Sequence, residues 1–148
     1  MSTVSDSQQG GPTMARTSAT ILIIDDDTSV RKVAKMRLER EGYRVVSAAD
    51  GDEGLQLAQT EHPQLILLDI LMPRMDGREV LRRLKSDPAT HAIPVILLTV
   101  LEAQDEIHQS IGPGYADRLP KPYNPEHLLQ KVRTLLTSAK PERPAGGA

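Results

Sequence analysis

The sequence predicts a doubly wound α/β domain, a five-stranded parallel sheet with five helices packed over its two faces. Two observations carry this. Ile21-Leu22-Ile23-Ile24, Leu65-Ile66-Leu67-Leu68 and Val95-Ile96-Leu97-Leu98 are apolar runs of strand length without polar alternation, as strands buried on both faces require. Segments of helical period separate them, and parallel neighbours need such crossovers, which run right-handed. Tyr43 to Ser47 and a weaker Tyr115 to Leu119 complete the five strands.

The helices follow in order. The first places Val30, Val33, Ala34, Arg37 and Leu38 at helical spacing, with Asp27, Thr28 or Ser29 as N-cap and Gly42 as its stop. A second covers about Asp52 to Thr60 through Leu55 and Ala58. A third covers about Arg78 to Lys85 through Val80, Leu81 and Leu84. The fourth, near Glu102 to Ile111, rests on Ile107 and Ile111, and Gly112-Pro113-Gly114 must end it because proline clashes with a continuing helix. The last has Asn124 as N-cap, Pro125 in its first turn and Leu128, Leu129, Val132, Leu135 and Leu136 on its inner face.

Met1 to Ala19 is rich in Ser, Thr, Gln, Gly and Pro, and Ser138 to Ala148 ends in Pro141, Pro144 and Gly146-Gly147. Neither stretch carries enough apolar surface to offset its ordering entropy, so both are expected to be flexible tails around a folded unit of residues 20–137. A chain of 148 residues suits one such core, which predicts a stand-alone domain without a fused output domain.

With 18 Lys and Arg against 20 Asp and Glu, the net charge of −2 provides no global field for nucleic acid or anionic lipid. Cysteine is absent, which excludes disulfides and thiolate metal sites. No signal peptide and no apolar run of membrane-spanning length is present, so a cytoplasmic protein with no nucleic-acid or membrane partner is expected.

In an open parallel sheet the strand ends converge on one crevice, at the C-terminal edge. Strand one ends in Asp25-Asp26-Asp27, strand three in Asp69 and strand four in Thr99, and Lys121-Pro122 opens the loop after strand five. Alone, Asp25 to Asp27 serves as readily for a helix N-cap, Asp27 for nothing more, and Thr99 or Lys121 for nothing specific. Together they differ. Crowded carboxylates repel in a low-dielectric crevice, and a divalent cation is the usual remedy. Oxygen ligands without Cys or clustered His favour Mg²⁺ or Mn²⁺ over zinc. A lysine charge and a threonine hydroxyl are the equipment that stabilises a phosphoryl group in transfer, with a carboxylate as its acceptor.

In order and spacing, ILIIDDD, LILLDILMPRMDG, VILLT and LPKP resemble the motifs of bacterial response-regulator receiver domains of the chemotaxis-regulator type, over essentially all of residues 20–137. The resemblance implies a flavodoxin-like fold with strand order 2-1-3-4-5. It makes Asp69 the phosphoacceptor and Asp25, Asp26, Asp69 and the Leu71 backbone carbonyl the Mg²⁺ ligands, with Asp25 acting through water. It also implies that Thr99 and Lys121 engage the phosphoryl group and that Lys121-Pro122 is a cis peptide. Met72-Pro73 and Asp76-Gly77 would shape the loop after the acceptor. Such a protein is a phosphoacceptor switch with weak self-phosphorylation and self-dephosphorylation rather than an enzyme. Its partners would be a sensor histidine kinase or histidine phosphotransfer protein and a downstream protein target, and it would work as a monomer or a phosphorylation-dependent dimer.

The pattern departs from the family at three places. Arg118 stands where an aromatic switch residue is usual, Val100 follows Thr99 where a small residue is common, and Gly112-Pro113-Gly114 shortens the fourth helix. Intact phosphorylation chemistry with an altered output face is the resulting expectation, with Arg118 exposed as a partner contact. Tyr115 and Tyr123 fit packing better than a displaced switch. His62, His91, His108 and His127 fit surface positions. A phosphorylation-independent receiver-fold scaffold is the alternative. An aspartyl phosphohydrolase would want a second carboxylate just after the nucleophile, where Ile70 and Leu71 stand instead.

Overall fold

The computed structural model describes residues 19–100 and 114–139. Five strands, β1 (Thr20–Ile24), β2 (Arg44–Ala48), β3 (Leu65–Asp69), β4 (Val95–Val100) and β5 (Asp117–Lys121), pair in parallel in the order β2-β1-β3-β4-β5. Helices α1 (Thr28–Arg40), α2 (Gly51–Glu61), α3 (Gly77–Ser86) and α4 (Pro125–Ala139) connect and cover them. The helix expected near Glu102 to Ile111 lies outside the described residues, as do residues 1–18 and 140–148.

The uninterrupted apolar runs have a direct packing cause. Alternate side chains of one strand enter different layers. Leu22, Ile24, Ile66 and Leu68 join Ala58, Val80, Leu81 and Leu84 beneath α2 and α3. Ile21, Ile23, Leu65 and Leu67 join Ala34, Leu38, Leu128, Leu129 and Val132 beneath α1 and α4. Each such side chain contributes about 1.5–3 kcal/mol on leaving water, so a strand exposed on neither face supports both layers at once.

The structure refines one helix face and two strand boundaries. Along α1 the buried ridge is Ala34 and Leu38, whereas Val33 is 49% exposed and Met36 56% exposed. Val33 lies one residue off that i, i+4 ridge, and one residue turns a helix by about a quarter of its circumference. The strand expected at Tyr43 to Ser47 is Arg44–Ala48. The strand expected at Tyr115 to Leu119 is Asp117–Lys121, because pairing with β4 fixes its register from Ile96↔Asp117 to Val100↔Lys121. Pro120 is tolerated there because, among the described strands, β5 is an edge strand paired with β4, and its other edge needs no donor.

The helix ends follow local chemistry. The Asp27 carboxylate accepts from the Ser29 and Val30 amides at the start of α1, and Gly42 at φ 98 follows its end. Asp50 and Asp76 cap α2 and α3 in the same way. The Glu126 amide donates to Asn124 Oδ1 where α4 begins, and α4 continues to Ala139, past the expected boundary at Thr137.

Candidate functional site

The sheet register brings the strand ends together. Asp25 follows β1, Asp69 closes β3, Thr99 is the penultimate residue of β4 and Lys121 closes β5 rather than opening the loop beyond it. Asp25 is fully buried, Asp69 is 5% exposed and Thr99 is 2% exposed. Asp26 is exposed beside them. One carboxylate oxygen from each of Asp25, Asp26 and Asp69 lies within 4.8 Å of the others.

Every polar atom of Asp25 is held. Its amide donates to the Ala48 carbonyl at 3.1 Å, extending the β1–β2 ladder. Its carboxylate accepts from the Asp27 amide at 2.9 Å and from Lys121 Nζ at 2.9 Å. Its carbonyl accepts from Arg31 Nη1 at 2.7 Å. Lys121 Nζ also lies 3.5 Å from Asp69 Oδ1, so one ammonium serves two buried carboxylates.

The loop after β3 comes close because Gly77 lacks a side chain. A Cβ there would lie 2.3 Å from the Asp69 carbonyl oxygen and 2.6 Å from Ile70 Cα. The Gly77 amide instead donates to the Ile70 carbonyl at 2.8 Å, which pins the start of α3 to the end of β3. Leu71 lies in this loop with its side chain half-exposed, while Met72 is buried.

The electrostatics reflect crowding. Burial, then the neighbouring charge of Asp25, pushes the Asp69 carboxyl up to about 7 against the opposing pull of Lys121, and Asp26 raises it further. Burial alone would lower the Lys121 ammonium, but its hydrogen bond to Asp25 and the charges of Asp69 and Asp25 raise it above its ordinary value. Burial pushes the Tyr123 phenol up to about 12, with Asp25, Asp69 and Asp27 adding to the effect. The Thr99 hydroxyl is buried without a hydrogen-bond partner.

This donor set fits a small divalent cation. Three convergent carboxylates exceed the charge of the one ammonium among them, and all the donors are oxygen, as Mg²⁺ prefers. An unpartnered buried hydroxyl beside them is suited to an incoming oxyanion. A groove of about 450 Å³ opens next to the site, lined by Asp27, Val30, Val33, Lys121, Tyr123 and Pro125 among others.

The Lys121-Pro122 peptide is cis. Tyr115 packs against the core layer beneath α2 and α3, and Tyr123 against the layer beneath α1 and α4. Arg118 is partly buried rather than exposed, opposite Leu97. His62, His91 and His127 are exposed, and His108 lies outside the described residues. Arg31 was not foreseen, because nothing in the sequence distinguishes it from the other basic residues of α1.

Residues 21–133 match the model of the response regulator receiver domain. The chain belongs to that family. It is 40% identical over 116 residues to the probable transcriptional regulator ycf27 of Cyanophora paradoxa, covering 78% of this chain and 47% of the relative. It is 44% identical over 117 residues to the DNA-binding dual master transcriptional regulator RpaA of Synechocystis, covering 78% of this chain and 48% of the relative. The chain thus spans about half the length of these curated relatives. Among solved structures, the chemotaxis response regulator CheY4 of Vibrio cholerae superposes with a TM-score of 0.72 at 31% identity, covering 80% of this chain and 99% of that one.

Receiver domains are phosphoacceptor signalling domains of two-component systems, not classical enzymes. They interact with histidine kinases or phosphotransfer proteins and typically bind Mg²⁺ at an acidic pocket. No helix among the described residues is long and apolar enough to cross a membrane.

Proposed function

We propose that this chain is a phosphorylation switch in which Asp69 accepts a phosphoryl group from a phosphohistidine on a sensor kinase or phosphotransfer protein. The observation that carries the reading is the convergence of Asp25, Asp26, Asp69, Lys121 and the unpartnered Thr99 hydroxyl at one edge of the sheet.

Asp25, Asp26 and Asp69, with the Leu71 carbonyl, would hold Mg²⁺, Asp25 through water. The bound ion supplies charge neutralisation to the phosphoryl oxygens. An Asp69 carboxylate oxygen forms the new bond to phosphorus as the phosphorus–nitrogen bond of the donor breaks, and the imidazole keeps the electron pair. Lys121 then leaves its charge-sharing position between Asp25 and Asp69 to pair with the phosphoryl group. Thr99 donates the hydrogen bond that its hydroxyl lacks before phosphorylation. Water later hydrolyses the acyl phosphate, which gives the switch its weak self-dephosphorylation. The adjoining groove between α1 and the loop after β5 offers the donor protein an apolar seat beside the acceptor.

The folded unit spans residues 20–137, with α4 running on to Ala139, and acts in the cytoplasm. It signals through altered contact with a downstream protein, as a monomer or a phosphorylation-dependent dimer, and without binding nucleic acid. DNA binding is named for the Synechocystis relative, about half of whose length this chain matches. A phosphorylation-independent scaffold is the second reading, favoured by Arg118 on β5 in place of the aromatic residue usual there.

Incubation with acetyl phosphate and Mg²⁺ tests the proposal. One base-labile phosphoryl group should appear by intact mass, fail to form when EDTA is present from the start and be absent from Asp69→Asn. A protein that takes up no phosphate supports the scaffold instead, and continuous turnover of a phosphoester would indicate a hydrolase.

A further inference from the structure

Arg31 lies outside the set of residues assigned to the site, yet it makes a short hydrogen bond into its centre. Its Nη1 donates to the Asp25 carbonyl at 2.7 Å, and its Nη2 reaches Thr28 Oγ1 at 3.4 Å. The other basic side chains of α1 behave differently. Arg37 pairs with Glu126 at 2.6 Å and Glu41 at 3.3 Å, and Lys32, Lys35 and Arg40 are exposed. Arg31 alone among them turns back toward the strand end.

The carbonyl it holds belongs to the peptide joining Asp25 to Asp26. That peptide sets the directions of both carboxylates relative to Asp69. On the Asp25 side the backbone is fixed by the Ala48 carbonyl, and the side chain by the Asp27 amide and Lys121. On the Asp26 side the residue is exposed. Without Arg31, the Asp25–Asp26 peptide would lose its hydrogen-bond partner on the carbonyl side, where rotation would swing Asp26 away from the cluster. A planar guanidinium held at two points fixes such a group better than a flexible ammonium.

We propose that Arg31 is a positioning residue for cation binding: by clamping the Asp25 carbonyl it keeps Asp25 and Asp26 aimed at the same point as Asp69. This inference rests on the Mg²⁺ site proposed above. Electrostatics alone predicts the opposite sign. Removing a cation near three carboxylates should strengthen metal binding by relieving repulsion, whereas removing a clamp should weaken it.

Isothermal titration of the full chain with Mg²⁺ decides between them, comparing wild type, Arg31→Gln, Arg31→Lys and Arg37→Gln. Arg31→Gln should raise the dissociation constant roughly 10-fold, the scale typical for loss of a residue that supports metal ligands. Arg31→Lys should fall between it and wild type, while Arg37→Gln, which breaks surface ion pairs on the same helix, should bind as wild type does. Unchanged or tighter binding by Arg31→Gln overturns the proposal, as does equal weakening in Arg37→Gln. If Arg31→Gln does not fold, Arg31→Lys is judged by the same two outcomes. Wild type that binds no Mg²⁺ overturns the site reading itself, which separates that failure from failure of the clamp.

Discussion

The body of the sheet and its C-terminal edge are buried to the same degree but are built from opposite chemistry. Ile24, Leu68 and Leu98 are fully excluded from water, and so, within a few per cent, are the next residues along their strands, Asp25, Asp69 and Thr99. A single step of about 3.3 Å along each strand moves from side chains that stabilise the fold to side chains that weaken it. Burial is favourable for the first set because their surface is apolar. For the second it is unfavourable, because carboxylates crowd one another and a hydroxyl lacks a partner. The difference locates function in this fold: the edge keeps carboxylates crowded and one hydroxyl unpartnered, a setting suited to a cation and an anion.

Substitutions on either side of this boundary should therefore change stability in opposite directions. The largest effect is expected in the body. Leu67 is fully buried in the layer beneath α1 and α4, and Leu67→Ala should cost about 2–5 kcal/mol by urea denaturation. A loss below about 1 kcal/mol would mean that the layer is loosely packed and the contrast overstated.

At the edge, Asp69→Asn should stabilise the metal-free protein. Asp69 is raised to about 7 in the folded state, so between its unfolded value and pH 7 the folded form holds a proton that the unfolded form has released. Stability from this group is therefore lost as pH rises through that window and stays low above it. Denaturation in EDTA should show little difference between wild type and Asp69→Asn near pH 4. By pH 8 the variant should be ahead by something on the order of 1–4 kcal/mol. Adding Mg²⁺ should narrow that gap, and a gap independent of pH would show that Asp69 is not the crowded group.

The smallest effect belongs to Thr99. Thr99→Val preserves shape and removes a buried hydroxyl that has no partner, so it should be neutral or stabilising by up to about 1 kcal/mol in thermal melts without Mg²⁺. The same variant should accept phosphate from acetyl phosphate more slowly. A destabilised Thr99→Val would instead place the hydroxyl in a structural hydrogen bond.

The legibility of this protein divides along the same boundary. The apolar runs 21–24, 65–68 and 95–98 announce strands buried on both faces, and the aspartates and threonine that end them announce an edge with chemistry. Those are local patterns, and each element carries its own. β5 lies two residues later than the sequence pattern suggests, because Asp117-Arg118-Leu119-Pro120-Lys121 has almost no pattern of its own and takes its register from β4. Val33 sits at helical spacing yet is half-exposed, because periodicity marks which residues share a face but not which part of a broad face touches the sheet.

By itself, then, the sequence determined the layered α/β architecture, the position of most elements and the identity of Asp25, Asp26, Asp69, Thr99 and Lys121 as one group. Only the tertiary structure decided what those residues do to one another. The charge shared by Lys121 between two aspartates, the raised Asp69 carboxyl, the solitary Thr99 hydroxyl and the clamp from Arg31 all join positions distant along the chain or hidden among similar residues. Local propensity and period act over a few residues, whereas Coulomb and hydrogen-bond interactions in a dry crevice depend on distances that exist only once the strands have paired.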